Sequence, residues 1–254
     1  MTIALRTLPS RMQDHLALSR RGVGALIGAM GAMALSLTAL GGVTEDVTRH
    51  DGLEATDARH LMWFVDHRTS LVLRLSRAAT LVASPPAVVV VAVATAVLLW
   101  WKRRRLLIAA TPVVALGGAV IVAAAGKVIV GRQRPPIGLR LVAETEPSFP
   151  SAHTTDATAL FMAVGLILAV VVLRRPIART LAVVGAASIS AAVGVSRLFL
   201  GVHWPTDVLA GWTLGFAIAL VAVLTTVVAD RAGPDASWHR PPAFVEGTHL
   251  RSIR

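Results

Sequence analysis

The stretch Arg197-Leu-Phe-Leu-Gly-Val-His203-Trp-Pro205-Thr-Asp207 decides how the chain is read. An arginine closes one long apolar run and an aspartate opens the next. Between them stands a histidine, four residues ahead of the aspartate. Pro205 suits the first position of a helix, where an N–H would go unused, so the next helix is expected to begin about there. A carboxylate one turn away can hold the His203 imidazole in one tautomer and keep it nucleophilic. Charges at the centre of a membrane helix cost roughly 2.5–3.5 kcal/mol each. Arg197 and Asp207, set between two apolar runs, therefore need a reason to be there.

The rest of the chain supplies one. Of its 254 residues, 55% are hydrophobic, and its mean hydropathy is +0.68. So many apolar runs imply a polytopic membrane protein rather than a soluble domain. Cysteine is absent, which excludes disulfides and thiolate metal sites. The net charge of +11 is read as arginines flanking membrane spans and meeting anionic lipid. No nucleic-acid-binding motif accompanies it, so no nucleic-acid partner is expected. The excess of arginine over lysine and the lack of tyrosine hint at a GC-rich bacterial source.

Working outward, six apolar runs are long enough to span, about 20 residues each: 22–43, 80–101, 106–130, 154–173, 180–200 and 208–228. Residues 44–60 form an acidic loop. Residues 61–78 mix Trp63, Phe64 and leucines with charges, as an amphipathic helix lying in the interface would. The expected fold is all-α: a six-transmembrane-helix bundle with an interfacial amphipathic helix in the first outer loop. Residues 1–21 would be a basic cytoplasmic segment, 22–228 the functional domain, and 229–254 a polar cytoplasmic tail.

The positive-inside rule places both ends and the clusters at 102–105 and 174–179 in the cytoplasm of the inner (plasma) membrane. Lys127, Arg132, Arg134, Arg140 and Arg197 then fall at the outer boundary, on the wrong side. Such charges call for a local anionic partner.

Three outer segments carry the polar chemistry. In Lys127-Val-Ile-Val-Gly-Arg-Gln-Arg134-Pro135, the two cations are seven apart and would share a helix face, with Pro135 ending the helix. Taken alone, Lys127 could be a snorkelling anchor. In Phe149-Pro150-Ser151-Ala152-His153, Ser151 is a good N-cap, and the free amides of a helix start beside a hydroxyl make an anion site. The third segment is Ser196-Arg197 with His203 and Asp207. Each is weak evidence singly; three on one membrane face are strong.

These three segments resemble the signature motifs of the type 2 phosphatidic acid phosphatase superfamily, which includes membrane lipid phosphatases and soluble vanadium haloperoxidases. The resemblance covers about residues 22–228. Ala152 departs from it, since the family usually has glycine there; the backbone N–H remains. The resemblance implies a two-step phosphoryl transfer without metal or other cofactor. His203 would attack phosphorus, Asp207 would orient it, and His153 would protonate the leaving oxygen and then activate water. Lys127, Arg134, Ser151, Ala152 and Arg197 would hold the phosphate. No acidic cluster that could supply Mg²⁺ ligands lies near the motifs, and Glu144 and Glu146 read as solvated loop residues.

The expected function is a membrane phosphatase acting on a lipid phosphomonoester or diphosphate at the outer face, with a polyprenyl diphosphate, phosphatidic acid or phosphatidylglycerol phosphate as candidate substrate. Alternatives are a phosphoryl or head-group transferase, or a non-catalytic lipid-binding protein. The sequence does not speak to oligomeric state.

Overall fold

The computed structural model describes residues 20–232, with side chains over 24–230. The rest of the flanking segments 1–21 and 229–254 lies outside the described residues. Eight α-helices make up the described chain: α1 (Arg20–Arg49), α2 (Asp57–Asp66), α3 (Ser70–Val82), α4 (Pro85–Arg103), α5 (Leu106–Val130), α6 (Ala152–Ile167), α7 (Pro176–Phe199) and α8 (Pro205–Ala232). There is no strand among the described residues. The expected six-span all-α bundle is found: α1, α4, α5, α6 together with the turn that continues it to Val172, α7 and α8 are long and apolar enough to cross a membrane.

Helix boundaries differ from expectation where local chemistry intervenes. The first helix runs on past residue 43 to Arg49, so Glu45 and Asp46 are helical rather than part of a loop. The second span begins at Pro85, not 80; Ser84-Pro85-Pro86 places prolines at its first two positions, where they are tolerated. The interfacial segment is two helices, not one. His67–Thr69 breaks it, and Thr69 restarts it by accepting the Val72 N–H at 3.2 Å. α5 stops at Val130, before the prolines. Gly131, at φ +61°, takes the left-handed C-terminal position and donates its N–H to the Lys127 carbonyl. Arg134 therefore reaches the site from a loop, not from the helix face it was expected to share with Lys127.

α6 is the central helix and packs against α5, α7 and α8. Small side chains allow this: Ala157, Ala159 and Ala163 have no exposed surface, and close backbone approach is how membrane helices associate. On α8, a Cβ at Gly215 would lie 2.6 Å from the Thr155 carbonyl, and one at Gly211 would lie 2.8 Å from Thr154. These two glycines let the amino ends of α6 and α8 meet. There the Ser151 N–H donates to the Asp207 carbonyl at 3.2 Å. Two of the three sequence segments are thus joined by backbone.

Candidate active site

The third segment is held by a turn. Gly201, at φ +70°, follows α7, and a Cβ there would fall 2.2 Å from the Leu139 carbonyl. Arg68, between α2 and α3, ties the turn down. Its guanidinium donates to the Phe199 carbonyl at 2.8 Å and to the Leu139 carbonyl at 2.7 Å. The loop after α5 is thereby fixed beside the α7–α8 turn, and His203 is placed in the resulting recess with 1% of its surface exposed.

The tautomer of His203 follows from its neighbours. Arg134 Nη1 lies 3.1 Å from Nε2 and can only donate, so Nε2 must accept. The proton then sits on Nδ1, which donates to Asp207 Oδ2 at 3.2 Å. Asp207 also accepts the Trp204 N–H on that oxygen at 2.9 Å. Burial pushes the imidazole down to about 4, against the upward pull of Asp207. A neutral ring with its Nε2 lone pair facing the cations is the state a nucleophile needs.

Arg134 reaches this nitrogen directly; Arg197 is a buried cation linked electrostatically to the His203 ring, and Lys127 is one linked to Arg134. Arg134 is anchored by Nε to the Glu146 carbonyl at 2.6 Å and by Nη1 to the Val202 carbonyl at 2.8 Å. Arg197, 1% exposed, donates to Thr80 Oγ1 at 3.3 Å, and its Nε has no partner. Lys127 is buried, donating to the Pro147 carbonyl, with Glu146 at 3.6 Å. Its neighbours Val128 and Ile129 are more than four-fifths exposed on the lipid-facing side. Helical geometry thus aims the ammonium inward, so Lys127 is no snorkelling anchor.

Ser151 stands at the cap position of α6 without capping it; its hydroxyl pairs with Thr154 Oγ1 at 2.9 Å. The first amides of α6, Ala152 among them, belong to the set that every helix start leaves without an intrahelical acceptor. Ala152 is an ordinary helical residue here, and it is not among the non-glycine residues with positive φ. The missing glycine therefore causes no backbone strain. His153, on the first turn of α6, interacts electrostatically with Arg197, Glu144, His203 and Arg134. Contacts or electrostatic interactions link His203 with Asp207, Arg134 and His153, Asp207 with Ser151, His153 with Arg197, and Arg134 with Lys127; Ala152 adjoins Ser151 and His153 in the chain.

Two features departed from expectation. Glu144 is not solvated: its carboxylate bridges Arg197 and Arg134, 3.3 Å from Nη2 of the latter. Burial alone would raise its pKa, but Arg197 and Arg134 outweigh this and hold it below the usual carboxylate range. The second is Arg132, noted only as a misplaced positive charge. It is buried between Asp207 (2.7 Å), Asp57 (2.7 Å) and Glu54 (3.2 Å). Burial alone would lower its pKa; Asp207 and Asp57 reverse this and raise it. Arg140 donates to carbonyls, while Lys127, Arg132, Arg134 and Arg197 are partnered by carboxylates of the chain itself. Loop separation hid them, because Asp57 is 75 residues from Arg132.

Comparison with known proteins covers the same elements. Residues 108–231, which hold all three segments, match the PAP2 superfamily. This stretch, just under half of the chain, is a PAP2-superfamily region. Phosphatidylglycerophosphatase B of Bacillus subtilis is 35% identical over 78 residues, 31% of this chain and 38% of that one. Decaprenylphosphoryl-5-phosphoribose phosphatase of Mycobacterium tuberculosis is 34% identical over 101 residues, 37% and 48% of the two chains. The chain thus spans less than half the length of these PAP2 relatives. A crystal structure of a transmembrane PAP2-type phosphatidylglycerolphosphate phosphatase from Bacillus subtilis has the same fold. It superposes with a TM-score of 0.67 at 20% identity, over 80% of this chain and 96% of that one.

Proposed function

We propose that the protein is a lipid phosphate phosphatase that works through a phosphohistidine on His203, without metal, at the outer face of the inner membrane. The observation that carries this is the pairing of His203, Nδ1 on Asp207 and Nε2 facing Arg134. In the first step Nε2 attacks phosphorus, the bond to the lipid oxygen breaks, and His153 gives that oxygen a proton. In the second, His153 takes a proton from water, water oxygen bonds to phosphorus, and the P–N bond breaks. Arg134, Arg197, Lys127 and the α6 amides carry the phosphoryl oxygens, with Ser151 beside them; Arg134 Nη1 moves from Nε2 to oxygen as phosphate arrives. The working unit is residues 22–228, with both flanks cytoplasmic.

An apolar cleft favours a lipid over a soluble ester. It has a volume of about 390 Å³ and runs between α1, α6, α7 and α8, past Thr158, Met162, Ala191, Trp212 and Phe216. Thr158 is seven residues into the bilayer from Ser151, roughly 10 Å along the helix. A hydrocarbon tail can lie there while its phosphate meets His203. The names of the relatives support a glycerophospholipid or polyprenyl phosphate as substrate. Phosphatidylglycerol phosphate, phosphatidic acid and farnesyl diphosphate, assayed in detergent with EDTA, are expected to release phosphate from at least one of the three. Activity that disappears with EDTA and returns with Mg²⁺ contradicts the metal-free mechanism.

Glu144 sits where the phosphoryl oxygens would, so an entering anion must displace it. Glu144→Gln removes the competing charge while keeping the shape. Inhibition by orthovanadate is expected to strengthen about tenfold, a change of about 1.4 kcal/mol. An unchanged inhibition constant contradicts a shared seat.

A further inference from the structure

The residues that prepare Asp207 come partly from outside the stretch that matches the PAP2 superfamily. Asp57 opens α2, in the first outer segment, and is 3% exposed. Its Oδ1 accepts the Thr206 N–H at 3.0 Å, and its Oδ2 accepts the Thr206 hydroxyl. The same Oδ2 accepts Arg132 Nη2 at 2.7 Å. Arg132 Nη1 then donates to Thr206 Oγ1 and to Asp207 Oδ1, both at 2.7 Å. Asp207 Oδ2 continues to His203. An unbroken line of hydrogen bonds therefore runs from Asp57 through Arg132 and Asp207 to the imidazole, with Glu54 touching Arg132 at its edge.

Two physical effects act along this line. Asp57 takes an N–H at the start of α8, the first turn of which carries Asp207, and so fixes where that turn begins. It also shares the Arg132 guanidinium. With Asp57 and Glu54 also on Arg132, Asp207 keeps part of its negative field for the imidazole instead of being wholly neutralised. Apolar replacements for a buried ionic cluster are often as stable as the cluster, so stability alone does not account for three buried charges here.

We infer that Asp57 is a positioning residue: through Thr206 and Arg132 it sets the place and charge of the Asp207 carboxylate, and so the readiness of His203. It touches no substrate atom. The inference rests on His203 being the nucleophile.

The test is a double-variant cycle. Turnover of dioleoyl phosphatidic acid and of farnesyl diphosphate in detergent micelles is measured for wild type, Asp57→Asn, Asp207→Asn and the pair. Asp57→Asn is expected to lower kcat about 10- to 100-fold per folded protein, with KM within about twofold. In the Asp207→Asn background the same change is expected to cost less than about twofold, because its route to His203 is already cut. Should Asp57→Asn not fold, Thr206→Val, which removes the bridging hydroxyl, is expected to show the same non-additivity. A lowered Tm with unchanged kcat, or losses that multiply in the pair, overturns the positioning role and leaves the phosphatase reading standing. A wild-type protein inert toward these two lipids and phosphatidylglycerol phosphate overturns both.

Discussion

His203→Ala is expected to lower kcat on the order of 10⁴-fold or more while detergent-dispersed substrate still binds. The size follows from the geometry. Alanine removes an imidazole whose Nε2 faces Arg134 and whose Nδ1 sits on Asp207. Water would then have to attack phosphorus without a covalent intermediate. Arg134, Arg197 and Lys127 remain, so KM changes little. A second readout separates lost chemistry from lost folding. Wild type given a radiolabelled lipid phosphate and quenched in alkali is expected to keep label on the protein, as an acid-labile phosphoramidate does, and the variant is expected to keep none. A variant within about tenfold of wild type would falsify the assignment of His203.

Arg134→Lys is expected to lower kcat/KM by about 10²–10³-fold, the usual consequence of removing one preorganised donor from a charge-developing site. The substitution keeps a positive charge but not the fork. Arg134 uses Nε on the Glu146 carbonyl and Nη1 on the Val202 carbonyl to hold the rest of its plane against His203. An ammonium on a flexible stem has no fixed plane and cannot both anchor itself and present two parallel N–H groups to phosphate. Most of the loss should appear in kcat, because the misplaced donor matters most when charge moves onto the equatorial oxygens. Rates with the short-chain analogue of the best lipid substrate, taken below and above KM, check this. A loss confined to KM would show that Arg134 only captures substrate.

Much of the fold was legible because the membrane enforces length and apolarity. The runs at 106–130 and 180–200 map closely onto α5 and α7. Helix ends were less legible where a single residue decides them. Gly131 ends α5 four residues before the proline that looked decisive, since a left-handed glycine stops a helix as firmly as proline does. His203, Asp207, Arg134 and Ser151 are joined by hydrogen bonds, because residue types and spacing were informative even where helix ends were not.

The partners of those residues were not legible. Glu144 and Asp57 look like solvated loop acids in the sequence. Their burial depends on the chain folding back over Arg197 and Arg132. No local pattern encodes a carboxylate meeting an arginine 53 or 75 positions away. The one usable signal was Arg132 itself, a cation that the positive-inside rule expected on the cytoplasmic side but that lies between apolar runs in the stretch 131–150. Burying it without a counter-charge would cost several kcal/mol, so an acid from elsewhere had to reach it.

The most direct measurement is a structure of the protein with orthovanadate, whose five-coordinate form mimics phosphorus under attack. Vanadium bonded to His203 Nε2, with its oxygens on Arg134, Arg197 and Lys127 and Glu144 moved aside, is the expected result. Vanadate seated elsewhere, or held by the cations with no bond to that nitrogen, contradicts covalent catalysis by His203.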